Sequence, residues 1–166
     1  MLTLAATSAF EVAADELHAF ATSTIGPGDL HSWPDVSDST FFGLRAADEI
    51  CRSRADAAGL SEPKRYVAWL SDRNDDAYCR LFGLGGKKSA NCGQATLPVG
   101  AGPWLRTDGM PFAAKIEDAL AENVIYSPLD VDEFGDSFAY PAESFTATDE
   151  TGAFNTFFED NGDCEE

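Results

Sequence analysis

From Leu44 to Ala58 the apolar positions Leu44, Ala47, Ile50, Cys51 and Ala55 recur at spacings of three and four. That spacing puts side chains on one face of an α-helix. Gly59 follows where a left-handed helix cap is expected, so a helix is predicted over Leu44–Ala58. Elsewhere the period shortens. Leu17-His-Ala-Phe-Ala-Thr22 alternates apolar with small or polar residues and predicts a first strand. Tyr66-Val-Ala-Trp-Leu-Ser71 is a β-rich run without a breaker and predicts a core strand. Pro103–Thr107 and Met110-Pro-Phe112 flank Asp108-Gly109, a hairpin signature, with Pro111 fitting only an edge or a strand start. Lys115–Ala121 reads as one or two helical turns, Val124–Tyr126 as a strand, and Glu143–Thr148 as a β-prone run among acidic turns. Residues 1–16, rich in Ala with Glu11, Asp15 and Glu16, read as a short helix or a frayed leader. The expected fold is α+β over residues 17–166. One principal helix and short helical turns pack on short, mostly antiparallel strands with long loops.

Composition narrows what such a domain does. The chain has 166 residues, 44% of them hydrophobic, which is enough for a core. Its 29 acidic and 11 basic residues give a net charge of −18. Phosphate backbones and anionic membrane surfaces both need clustered Lys and Arg, so neither nucleic acid nor such a membrane is an expected partner. The apolar runs are also too short for membrane insertion. Met1-Leu-Thr-Leu-Ala-Ala lacks the basic start and long apolar stretch of a signal peptide.

Four cysteines bear on the compartment. Cys79 and Cys92 bracket the glycine-rich stretch Leu81–Asn91 and are expected to form a disulfide, which places the protein outside the cell, in the periplasm or on the cell surface. Cys51 lies on the helix's apolar stripe, as a core thiol or as a disulfide anchor. Cys51 and Cys164 either pair with each other or each lacks its partner.

Recognisable catalytic chemistry is sparse. His18 and His31 sit in no nucleophile setting, no G-x-S-x-G occurs, and the cysteines lack zinc-site spacing. Gly83-Leu-Gly-Gly-Lys-Lys-Ser89 looks like a phosphate loop, but Leu81 stands where the first glycine is required, so it reads as a flexible loop. Two acidic clusters follow β-prone runs: Asp72, Asp75 and Asp76, and then Asp130, Asp132, Glu133 and Asp136. The second is a candidate calcium loop on charge density, against the plainer reading of exposed loop acids. Trp69 and Trp104 read as core, whereas Trp33, beside Pro34 in a polar loop, is the tryptophan best placed to face a ligand.

Taken in order, Ala19-Phe-Ala-Thr-Ser23, Gly43-Leu-Arg-Ala-Ala-Asp-Glu-Ile-Cys51, Ala57-Ala-Gly-Leu60, Ala68-Trp-Leu-Ser71, Gly102-Pro-Trp-Leu-Arg-Thr-Asp-Gly109 and Asp132-Glu-Phe-Gly135 form a series. The series resembles an uncharacterised family of bacterial secreted domains with a C-type-lectin-like, endostatin-related fold, a family that includes the leptospiral endostatin-like adhesins. The resemblance spans about Leu17 to Cys164. It implies that the helix cysteine bridges to one near the C-terminus, and that members continue past the position of Cys164 with closing strands, so this chain looks truncated. The calcium and sugar motifs of C-type lectins, Glu-Pro-Asn, Gln-Pro-Asp and Trp-Asn-Asp, do not occur here. The expected function is a non-enzymatic extracellular binding or adhesion module for a protein or glycan. Its contacts are expected in the loops Asp72–Gly102 and Asp130–Asp136, with Trp33, Asp72, Asp75, Asp76, Lys87 and Lys88 as candidates and calcium as the one candidate cofactor. The alternatives are a surface-display domain without a ligand and a secreted hydrolase using paired carboxylates.

Overall fold

The computed structural model describes residues 17–138 and 146–155. It is a mixed α+β fold of β1 (Leu17–Ala19), α1 (Gly43–Ala57), α2 (Ala77–Leu81), β2 (Trp104–Arg106), β3 (Pro111–Ala113) and α3 (Ile116–Glu122). Long loops join these elements, with 3-10 turns at Leu30–Ser32, Pro63–Arg65 and Lys88–Gly93. Residues 1–16, Glu143–Phe145 and Cys164 lie outside the described residues.

The predicted helix is α1, with Ala46, Ala47, Ile50 and Ala55 buried along one stripe. Its end follows from Gly59, which takes φ +69°. The Gly59 and Leu60 amides then donate back to the Asp56 and Ala55 carbonyls, the paired bonds of a Schellman cap.

The sheet order is β1-β2-β3. β2 and β3 are the predicted antiparallel hairpin, turning at Asp108-Gly109, with Pro111 opening the edge strand. The isolated bridges Val131–Ser137 and Thr148–Phe154 are antiparallel too, whereas β1 runs parallel to β2, with Leu17 opposite Trp104. The whole α1–α2 region connects the two strands, and a connection of that length permits parallel pairing. β1 also ends earlier than predicted, because the chain turns off to donate the Ala21 amide to the Val131 carbonyl.

Two predicted strands are absent. Tyr66–Ser71 is irregular because side chains take the backbone groups a ladder would need. The Asp48 carboxylate accepts the Ala68 amide, and Arg80 Nη1 donates to the carbonyls of Ala68 and Leu70, both at 2.9 Å. Val124–Tyr126 is not a strand either. It meets β3 through one bond, from the Tyr126 amide to the Phe112 carbonyl, after Asn123 ends α3 at φ +52°. Of the β-prone run near the end, Thr148 forms a single antiparallel bridge with Phe154.

The core centres on Tyr78, Cys79, Cys92 and Ile116, with Trp69, Leu84, Leu97 and Leu120 packed around them. Gly102 marks a close approach between the approach to β2 and the start of α3. A Cβ there would lie 2.1 Å from the Ala114 carbonyl oxygen, so no other residue fits. No helix among the described residues is long and apolar enough to cross a membrane.

Candidate functional site

The loop expected to carry recognition, residues 72–102, is braced from within. Asp72 Oδ1 accepts the amides of Asn74 and Asp75, a local turn that aims the next two carboxylates inward. Asp75 Oδ1 accepts the Gly86 amide. Asp76 is buried and joins three segments. Its Oδ1 accepts from Lys87 Nζ at 3.0 Å and from the Phe154 amide at 2.9 Å, while Oδ2 accepts the Lys88 amide at 2.7 Å. Lys87 also donates to the Asp72 carbonyl. Lys88 reaches the Thr151 carbonyl and stacks over Tyr78, and burial pulls its ammonium below the usual lysine value against the opposing pull of Asp149 and Asp76. The Cys79–Cys92 disulfide is present, with Cα atoms 5.3 Å apart, and both residues are buried.

The loop expected at Gly83–Ser89 is present and is tied by backbone bonds. The Leu84 amide donates to Cys79, the Asp76 amide to Gly86, and the Cys92 amide to Lys87, so the stretch is tied to α2 at both ends. Gly85 allows it, because a Cβ there would sit 2.9 Å from Asp75 Oδ1. Of the candidate contacts, Asp75, Asp76, Lys87 and Lys88 turn out to be internal struts. The surface they support is an exposed crown of Ser89, Ala90, Gly93, Gln94, Ala95, Thr96, Val99 and Gly100. Its base is pinned by Tyr78, whose hydroxyl donates to the Pro98 carbonyl, and by Glu117, which accepts the Gly100 amide. The crown is also free of negative charge: from Ala77 to Thr107 the chain has no Asp or Glu, although it carries 29 acids in all.

The second acidic cluster lies on the turn after Val131, but its carboxylates serve different partners. Glu133 is fully buried. Its Oε1 accepts from Arg54 Nε at 2.7 Å and Ser23 Oγ at 2.6 Å, and its Oε2 accepts the Ser23 amide at 2.9 Å. Burial opposes ionisation of Glu133, but the Ser23 and Arg54 bonds outweigh it and hold the carboxyl below its usual range. Asp130 bonds the buried Arg106, which also grips Asp108 and the Pro128 carbonyl. Asp132 Oδ1 accepts the Phe134 and Asp136 amides. Calcium needs six to eight oxygens converging on one point. Here Arg54 and Arg106 hold Glu133 and Asp130, and among the described residues no group of three or more His, Cys, Asp or Glu is placed to hold a metal ion. The donor set as placed does not fit that ion.

Trp33 is half-buried rather than offered to solvent. Its Nε1 donates to the Pro27 carbonyl, and its ring lies so close over Gly26 that a Cβ there would sit 2.5 Å away. Cys51 is partly buried, and burial, reinforced by Asp48, pushes its thiol up to about 12. His31 faces Asp29, yet the neighbouring Ser32 hydroxyl donates to the Asp29 carbonyl and not to the imidazole, so no relay forms. His18 and Trp104 meet in a shallow cleft of about 100 Å³ with Arg65, Tyr66, Val67 and Leu81, well short of the several hundred Å³ of a ligand pocket.

The side chains that organise these regions, Arg54, Arg80 and Arg106, escaped the sequence reading. Each is a basic residue whose acidic partner is remote or unremarkable in sequence. No protein family matches the chain, and no curated protein or solved structure matches it.

Proposed function

We propose that this chain is a non-enzymatic extracellular binding module, of C-type-lectin-like fold, that recognises a protein or glycan through the crown of its disulfide-braced loop. The observation that carries the reading is the coordination of Asp76 by Lys87, Lys88 and Phe154. It commits the loop's charges to the interior and leaves a fixed, neutral surface facing outward. A surface already ordered loses little conformational freedom on binding, and loops on a rigid scaffold are where recognition concentrates. The absence of acids from Ala77 to Thr107 supports the same surface, because a partner meets less of the repulsion that a chain of net charge −18 generates elsewhere. The Cys79–Cys92 bridge supports an oxidising location, whether extracellular, periplasmic or at the cell surface. In this reading the contacts are Ser89, Gln94, Thr96 and Val99, and the charged residues beneath them keep the crown in shape.

The test is a panel of extracellular-matrix proteins and a glycan array, followed by titration of any hit against Gln94→Ala/Thr96→Ala and Val99→Ser. Affinity should fall about tenfold while the melting temperature stays put, and binding should vary little with salt. A hit that binds the variants as well as the wild type overturns this placement, and a domain that enriches nothing in either panel overturns the binding role.

A further inference from the structure

Charge and exposed apolar surface are segregated along this chain. Residues 108–138 carry eight acidic side chains and one lysine. Four of the seven strongly exposed large hydrophobics among the described residues lie in the same stretch: Met110 at 51%, Ile125 at 50%, Tyr126 at 57% and Phe134 at 55%.

Backbone contacts place Met110, Ile125 and Tyr126 along the hairpin and its outer edge, and Phe134 on the other side. Met110 sits where the β2–β3 hairpin turns back, its carbonyl accepting the Arg106 amide. Tyr126 bonds the Phe112 carbonyl on the outer edge of β3, carrying Ile125 with it. On the other side Gly135, next to Phe134, lies against Asp108, with a Cβ position 3.4 Å from the Asp108 backbone. Asp108, Asp130 and Asp136 are exposed around this hairpin. Arg106 is buried and bonded to Asp108 and Asp130, while Arg54 lies over the Phe134 ring, 5.7 Å from its centroid, and takes that side chain out of the surface. Single exposed hydrophobics are ordinary, but Met110, Ile125 and Tyr126 along one hairpin edge with exposed carboxylates nearby have the composition of a docking surface with a polarity.

We propose that this hairpin surface docks a cationic protein segment whose apolar side chains seat against Met110, Ile125 and Tyr126. Charge selects the occupant: a second copy of the chain brings another −18 to these carboxylates, whereas a basic segment is steered by them and held by the apolar anchors. The surface is separate from the neutral crown, and its occupant has different chemistry.

The probe is a fluorescent amphipathic peptide of lysine and leucine, titrated by anisotropy at low and physiological salt. Met110→Ser/Tyr126→Ser keeps the charge unchanged and alters only exposed side chains, and a thermal melt confirms the fold. It should weaken the peptide about tenfold, while Ile25→Ser, an exposed hydrophobic elsewhere, should change it less than about twofold. Equal losses in both variants would mean that net charge alone captures the peptide, and would overturn the proposal. So would a wild type that does not bind the peptide, or sedimentation showing a dimer that the hairpin variant dissociates.

Discussion

Glu133 closes on Arg54 across 79 residues of sequence, joining the turn after Val131 to the last turn of α1, with Ser23 just beyond β1 as the third member. The carboxylate is inaccessible to solvent and the Arg54 side chain is 21% exposed, and the burial of the carboxylate sets the size of the effect. Removing one partner of a buried pair leaves an uncompensated charge and costs about 3 kcal/mol, whereas an exposed pair contributes well under 1 kcal/mol. Glu133→Gln is therefore expected to lower unfolding stability by about 3 kcal/mol, and Ser23→Ala by about 1 kcal/mol. Urea denaturation measures both. Equal and small losses would show that the cluster does not tie these elements together.

The same carboxylate sets the acid limit. Glu133 titrates below its usual value because its hydrogen bonds outweigh burial, and Asp149 does so because Thr151 and the Ala153 amide outweigh burial there. Asp108 is held down by Arg106. A carboxyl whose folded pKa is depressed contributes stability above its unfolded pKa, and that contribution is lost as pH falls through the folded value. The melting temperature should hold from neutral pH to about pH 5 and fall steeply below about pH 4. Salt should raise it at pH 7, where self-repulsion of the net charge is screened, and should not rescue it at acid pH. A protein most stable near pH 3 would contradict this assignment.

How much of this was legible in the chain depends on the range of the interaction. α1, its Gly59 cap, the Asp108-Gly109 hairpin and the Cys79–Cys92 bridge are local patterns, and each is found where the spacing put it. Tyr66–Ser71 reads as a strand because Val, Trp and Tyr favour one, but Asp48 and Arg80 take its backbone groups, and nothing near the run announces them. Asp76 and Lys88 resemble surface contacts for the same reason: the Phe154 amide that bonds Asp76 is 78 residues away in sequence, and the Thr151 carbonyl that Lys88 reaches is 63 away. The neutral crown was legible, since the gap in acids from Ala77 to Thr107 can be counted directly. It is a signal made of missing residues, which no cluster of charge announces.

Cysteine labelling separates the two thiol environments. Cys51 has its thiol pushed up to about 12, so little thiolate exists at pH 8, and the partly buried side chain slows access further. Iodoacetamide should leave Cys51 unmodified in the native protein and label it promptly in denaturant without reductant, while Cys79 and Cys92 stay protected until reduced. Fast native labelling would contradict the buried environment. Protection of Cys51 that survives denaturant and yields only to reductant would mean that it is bridged.

The last prediction concerns what holds the crown in place, the disulfide or Asp76. Opening the 13-residue span between Cys79 and Cys92 removes a constraint on the unfolded chain, so Cys79→Ala/Cys92→Ala should cost about 3 kcal/mol of global stability. Asp76 acts instead in the folded state. It is buried against Lys87, the Lys88 amide and the Phe154 amide, and so ties the base of the crown to the segment around Thr151. Asp76→Asn keeps the shape, removes the charge opposite Lys87, and replaces one of the two acceptor oxygens with a donor that faces an amide or an ammonium. Its cost is expected to be about 2–3 kcal/mol, concentrated locally. Hydrogen exchange distinguishes the two variants: Asp76→Asn should speed exchange at the Lys88 and Phe154 amides well before α1 opens, whereas loss of the disulfide should lower protection across the core together. If Asp76→Asn leaves those two amides as slow as in the wild type, Asp76 does not hold the crown in place.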